Sequence, residues 1–237
     1  IQKKSLKKLK KFNKIYSIIF LSALTPDKGK DEKTFIKNIS MITNLFKYFT
    51  EENIQHFLYV SSDAVYNLSQ NKINNNTAPS PSDLDGLMHL SRENICKFKI
   101  LKKNLTILRP TIVYGKGDTH NSYGPNRFIG QLKKNQNIKI FGKGLDIRDH
   151  LYVEDLIKII SKAILKKISG TYNVASGSSF KFIDVVKKIR KLTRKKINID
   201  YIKVNNLPTK RYFDIVQTKN KFKLNFTNLN LGLKKYL

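Results

Sequence analysis

Three short apolar runs, residues 15–21, 57–61 and 105–109, alternate with two longer segments whose apolar residues recur at helical spacing. A parallel strand covered on both faces reads as a continuous apolar run, whereas a surface helix reads as an apolar stripe with a polar back. Alternation of the two predicts a parallel sheet under helices. The first stripe, residues 32–49, carries Phe35, Ile39, Ile42 and Phe46. The second, residues 83–101, has Ser82 as its expected N-cap. The third run stops at Pro110.

Beyond Pro110 the rhythm changes to loops around Gly115, Gly117 and Gly124. Helices are expected over 125–135, 153–165 and 180–192, and strands over 138–141 and 171–174. The polar stretch 67–81, with Asn74, Asn75 and Asn76, reads as a surface loop, and the tail beyond Ile197 is less regular. Leu6, Leu9 and Phe12 give the opening segment an amphipathic helical pattern. Lys3 to Lys14 followed by an apolar stretch has the outline of a secretory signal. A cut after Ala23 would, however, put Leu21 where a small residue is needed. A stretch of ten residues is also too short to cross a bilayer, so it reads as a strand and no membrane partner is expected.

Forty-six Lys and Arg against 17 Asp and Glu give a formal charge of +29. Only 7 of the 46 are Arg, and the Lys residues are spread along the chain amid abundant Asn and Ile. Nucleic-acid interfaces favour the forked guanidinium, so compositional drift explains the charge better than a nucleic-acid partner. Cys96 is the lone cysteine, which excludes an internal disulfide and fits a reducing cytoplasm. The histidines at 56, 89, 120 and 150 lack metal-ligand spacing, so no metal site is expected. Neither G-x-G-x-x-G nor G-x-x-x-x-G-K-[ST] occurs.

Five segments come in a fixed order: Leu21-Ser22-Ala23, the run Val60 to Tyr66, the helix bearing Asp85, Gly86 and His89, the run Leu108 to Gly115, and Arg148 to Leu156. Together they make the chain resemble the NAD-dependent epimerase/dehydratase branch of the extended short-chain dehydrogenase/reductase family. The resemblance implies an α/β fold, a partial Rossmann-like parallel sheet with helices on both faces and a small C-terminal substrate-binding portion. Residues 1–115 would be the remaining dinucleotide-binding part and 116–237 mostly the substrate-binding part, with 150–175 returning to the main sheet. The family's first strand, glycine-rich turn and following elements, roughly 50 residues by the size of a βαβ unit, would precede Ile1.

The resemblance also implies site residues. NAD or NADP would be met by Ser22, Ala23, Asn38, Ser61, His89 and Pro110, and a nucleotide sugar by Asp63, Asn126, Arg127, Arg148 and Arg211. The family's catalytic hydroxyl falls on Ser62. Its Tyr and Lys, one helical turn apart, fall on Asp85 and His89. An Asp85–His89 ion pair that raises the imidazole pKa is expected from the i, i+4 spacing. Ala64 stands where dehydratases of the family carry a base, so an epimerase or reductase acting by transient hydride transfer at a sugar hydroxyl is the closer analogue. The alternative is a degenerate member that binds a nucleotide sugar or partner without turnover. A homodimer is the assembly the resemblance implies.

Overall fold

The structure, a computed structural model, describes residues 15–49, 54–118 and 124–237. The expected helix around Leu6 to Phe12 lies outside them. In chain order the elements are β1 (Ile18–Phe20), α1 (Glu32–Phe46), β2 (Phe57–Val60), β3 (Lys72–Ile73), α2 (Leu84–Lys99), β4 (Leu105–Pro110) and β5 (Ile112–Tyr114). There follow α3 (Gly124–Lys133), β6 (Ile138–Phe141), β7 (Ile147–Tyr152), α4 (Val153–Leu165), β8 (Gly170–Val174) and β9 (Ser179–Lys181). The chain ends with α5 (Phe182–Thr193), β10 (Ile199–Ile202), β11 (Tyr212–Phe213), α6 (Val216–Phe222) and α7 (Leu229–Tyr236).

The described contacts separate into two compact units. The first takes residues up to Asn67 together with Ala78–Pro110 and Lys158–Asn173. Its sheet has the order β1-β2-β4-β8, with β1, β2 and β4 parallel. Parallel neighbours need crossovers, and α1 and α2 supply them. Their inner faces, through Ile42, Leu45, Cys96 and Ile100, meet Phe20, Phe57, Tyr59, Leu105 and Ile107 of the strands. Each large side chain buried there contributes about 1.5–3 kcal/mol. Leu58 and Leu108 alternate to the opposite face and are buried too, so that face is covered as well.

Three expectations need correcting. The run 15–21 is a strand only over Ile18–Phe20, and its Ile19 is 43% exposed because β1 is the sheet's outermost strand among the described residues. The N-cap of α2 is Asp83, not Ser82: its carboxylate accepts from the Gly86 N–H at 2.8 Å. A carboxylate at this end also meets the positive pole of the helix. The stretch 67–81 is more than a loop, since β3 pairs in parallel with β11 and buries Ile73.

The second unit comprises residues 68–77, 111–157 and 174–237. It holds a three-stranded sheet β5-β7-β9, parallel then antiparallel, and a parallel pair β6 and β10. Its core gathers Tyr114, Phe128, Ile138, Tyr152, Val185 and Leu233. Helix α7 lies so close to β5 that a Cβ on Gly232 would sit 1.9 Å from the Tyr114 hydroxyl oxygen.

Candidate active site

Ser22, Ser61 and Pro110 stand at the carboxyl ends of β1, β2 and β4. In open parallel sheets this edge receives ligands, because helix N-termini collect there. Ser62 follows directly and caps a single 3₁₀ turn, Asp63–Val65, its Oγ accepting from the Ala64 N–H at 3.1 Å. The first turn of α2 is pressed onto that turn. A Cβ on Gly86 would lie 2.1 Å from the Ala64 carbonyl oxygen, so only glycine permits the approach. The structure thus brings Ser62 and Asp63 beside Asp85, with His89 one turn further along α2.

Electrostatics set the two helix residues apart. Burial raises the Asp85 pKa to about 6, the neighbouring Asp83 and Asp63 carboxylates push the same way, and Lys30 and Arg92 oppose. A carboxyl group held there exchanges its proton near neutral pH, which an ordinary aspartate does not. The expected Asp85–His89 ion pair is not formed. His89 is 9% exposed, its Nδ1 is 2.8 Å from the Tyr59 hydroxyl, and burial and then the Arg92 cation push its pKa down to about 3. Desolvation overrules the i, i+4 attraction here because the imidazole turns inward.

Arg92 explains why. This fully buried guanidinium donates to the carbonyls of Ser22 (2.8 Å) and Asn38 (3.0 Å) and lies 5.1 Å from the centre of the Phe20 ring. Asn38 is used locally as well, with its amide making two hydrogen bonds to the backbone of Leu24 at 2.8 and 3.0 Å. A second buried cation, Arg109 of β4, makes a bidentate pair with Glu93 at 2.9 and 2.6 Å and donates to Tyr66 Oη at 2.8 Å. Glu93 also accepts from Ser61 Oγ at 2.7 Å, and Tyr66 donates to Asn173 at 2.8 Å. These partners were missed from the sequence. The signal was present: an arginine inside an apolar strand demands a partner, and Glu93 stands at i+4 and i+8 from His89 and Asp85.

The second unit carries the remaining candidates. Arg148 on β7 donates to the carbonyls of Ile147 and Thr209 at 2.8 and 3.1 Å and lies 3.6 Å from Asp146. The Arg211 N–H donates to the same Ile147 carbonyl at 3.1 Å, so the two arginines are carried on adjoining backbone segments. Asn126 is buried, bonded to the Gly115 N–H at 3.0 Å and the Val113 carbonyl at 3.3 Å. Arg127 lies 4.9 Å from the centre of the Phe141 ring and donates to the Lys139 carbonyl. Buried Asp149, next to Arg148, is taken up by Thr111, Ser176 and Ser178. Among the described residues no three His, Cys, Asp or Glu side chains gather as metal ligands, and no helix is long and apolar enough to cross a membrane.

Compared with known proteins, residues 2–175 match the profile of the NAD dependent epimerase/dehydratase family. The chain belongs to that family. Among curated members of the NAD dependent epimerase/dehydratase family it is 28% identical over 189 residues to a Bacillus subtilis protein described as an uncharacterized UDP-glucose epimerase. That match takes in 77% of this chain and 59% of the relative, so the chain spans about three fifths of the relative's length. The fold of this chain is similar to that of UDP-glucuronic acid 4-epimerase from Bacillus cereus, solved with UDP-glucuronic acid and NAD. The TM-score is 0.83 at 23% identity, covering 99% of this chain and 76% of that one. RMD from Pseudomonas aeruginosa, solved with NADPH, superposes with a TM-score of 0.82 at 18% identity over 100% of this chain and 84% of that one.

Proposed function

We propose that this chain, joined to a preceding glycine-rich strand-turn-helix, is an NAD(P)-dependent nucleotide-sugar epimerase or reductase acting at a sugar hydroxyl. The observation that carries the reading is the seating of the first turn of α2, which bears Asp85 with its raised pKa, against the Ser62 turn at the carboxyl edge of a parallel sheet. The residues present fit a dinucleotide: Ser22 is exposed at a strand end, Asn38 holds the Leu24 backbone near it, and Ser61 and Pro110 stand at the ends of β2 and β4. His89 completes that set. When bound, the nicotinamide supplies the hydride acceptor and donor.

The chain's own groups handle the proton. Ser62 Oγ accepts from the Ala64 N–H and so keeps its own O–H free to orient a sugar oxygen. Near neutral pH Asp85 is largely ionised and takes the hydroxyl proton as the C–H bond gives up its hydride, then returns it to the carbonyl oxygen. Arg148 and Arg211 hold the diphosphate through charge-assisted bonds, and Asp63, Asn126 and Arg127 complete the substrate side. Residues 1–115 serve the dinucleotide, and most of 116–237 serves the substrate.

The reading extends to a cytoplasmic homodimer. Ile36 on α1 and Leu87 and Phe98 on α2 are 61%, 42% and 84% exposed, an apolar surface suited to a second copy. Turnover of UDP- and dTDP-sugars by the full-length protein with NAD or NADP is the test. Activity is expected, with Asp85→Asn slower by about 10²-fold, the usual contribution of positioned proton transfer. Cofactor binding without turnover on any sugar nucleotide would overturn it.

A further inference from the structure

Most of the chain's cations are scattered, but six converge at the end of α5. Of the seven arginines, Arg92, Arg109 and Arg211 are buried, Arg127 lies over the Phe141 ring, and Arg148 bonds to Ile147 and Thr209. The remaining two, Arg190 and Arg194, are exposed and stand one helical turn apart. With Lys187, Lys191, Lys195 and Lys196 they line a recess of about 570 Å³, and among the described residues nothing else lines it. Arg194 takes the left-handed conformation at φ 55°, which ends the helix and leads the chain on to Lys195 and Lys196 at the same recess. Lys187 alone of the six forms an ion pair among the described residues, with Asp184 at 3.7 Å.

A helix C-terminus attracts cations, which accounts for Arg190 and Lys191 in the last turn. It does not account for Lys187, a turn earlier, or for Lys195 and Lys196 beyond the helix. Arg190 and Arg194, like Lys187 and Lys191, carry like charges at i, i+4, where they repel. Compositional drift towards lysine does not explain the arginines either. Cations gathered around one concavity call for a ligand with several negative charges in a small volume. Phosphoryl groups meet that need better than carboxylates, because a terminal one brings about 1.5 to 2 charges at neutral pH. A forked guanidinium also takes two phosphoryl oxygens at once. Among the described residues no aromatic or aliphatic side chain lines the recess to stack a base or receive an acyl chain, so recognition falls on the phosphates themselves.

We infer that this recess binds a linear condensed phosphate of three or more phosphoryl groups, gripped by the Arg190 and Arg194 guanidinium groups and neutralised by the surrounding lysines. The inference is independent of the proposed function, since none of these six residues serves the dinucleotide, the sugar or the proton there.

Titration calorimetry of sodium tripolyphosphate into the full-length protein at about 0.15 M salt is the test. Saturable binding is expected, and Arg190→Gln combined with Arg194→Gln should weaken it at least about 10-fold, the loss of roughly one charge-assisted hydrogen bond. Lys102→Gln combined with Lys103→Gln removes the same charge from an exposed turn elsewhere and should weaken it less than about 2-fold, because salt screens distant charges. Equal weakening by the two pairs, or none by the first, would overturn the inference, since net charge or a different site would then hold the anion. Arg190→Lys combined with Arg194→Lys keeps the charge and loses the forks, so binding should weaken at least about 3-fold; full affinity there would also count against it. Orthophosphate should bind at least about 10-fold more weakly than tripolyphosphate, and equal affinity would reject a site built for a phosphate chain. Phosphatidylserine vesicles and a DNA duplex complete the test. Capture of the protein by either one through Arg190 and Arg194, undiminished by excess tripolyphosphate, would replace the condensed phosphate with that surface.

Discussion

Arg92 and Arg109 are two buried arginines of one unit, and the protein treats them in opposite ways. Arg109 meets a carboxylate: Glu93 grips it with both oxygens, and the pair is sealed at 4% and 0% side-chain exposure. Arg92 meets carbonyls, an amide oxygen and a ring, with no carboxylate in contact among the described residues. A paired charge cancels its own field within a few ångströms, whereas a charge solvated by dipoles keeps it. Arg109 is accordingly a bolt between α2 and β4. Arg92 is a source of field for the site, and both Asp85 and His89 register it.

The contrast can be broken at the bolt first. Glu93→Ala leaves Arg109 buried without a counter-charge, and a stability loss of about 3–5 kcal/mol is expected in urea unfolding; a loss below about 1 kcal/mol would mean that the pair is not a bolt. Arg92→Met strands the carbonyls of Ser22 and Asn38 but no charge, so the same measurement should give a smaller loss, about 1–3 kcal/mol.

Titration sharpens the comparison further. Removing the Arg92 cation should raise the Asp85 midpoint above its value of about 6, whereas Glu93→Gln, remote from that carboxyl's main influences, should leave it in place. Carbon-13 NMR of the Asp85 carboxyl reads both, and equal shifts would erase the distinction. The smallest effect concerns stability against pH. A carboxyl with a folded pKa near 6 and an unfolded value near 3.8 binds more protons folded than unfolded in that window, so its contribution is lost as pH rises through 6. Asp85→Asn should therefore gain stability relative to the unaltered chain between about pH 4 and pH 6 and hold that gain above it. A constant difference across the range would show that Asp85 is not perturbed.

Much of this unit was legible in the sequence because its signals are local. The apolar runs around Leu58 and Ile107 and the stripe through Ile42 announce strand and helix within one window. The places that failed are those decided by distant partners. Ile73 lies in an asparagine-rich stretch and becomes a strand only because Tyr212 and Phe213 pair with it. Glu93 and Arg92 look like helix-surface charges until β4 and β1 are laid against them. Family likeness proposes the Ser62, Asp85 and His89 positions, yet it could not give the charge states of Asp85 and His89. Those depend on burial and on Arg92, which spacing along a helix does not encode.

Gly86 has a consequence for anyone reshaping this protein. Because a missing methyl fixes the spacing of the two main chains, the span from position 85 to the serine-bearing turn is set by side-chain length alone. Asp, Glu and Tyr at that one position then form a graded ruler, and, on the proposed function, the rung at which activity peaks would measure how deep a bound sugar lies.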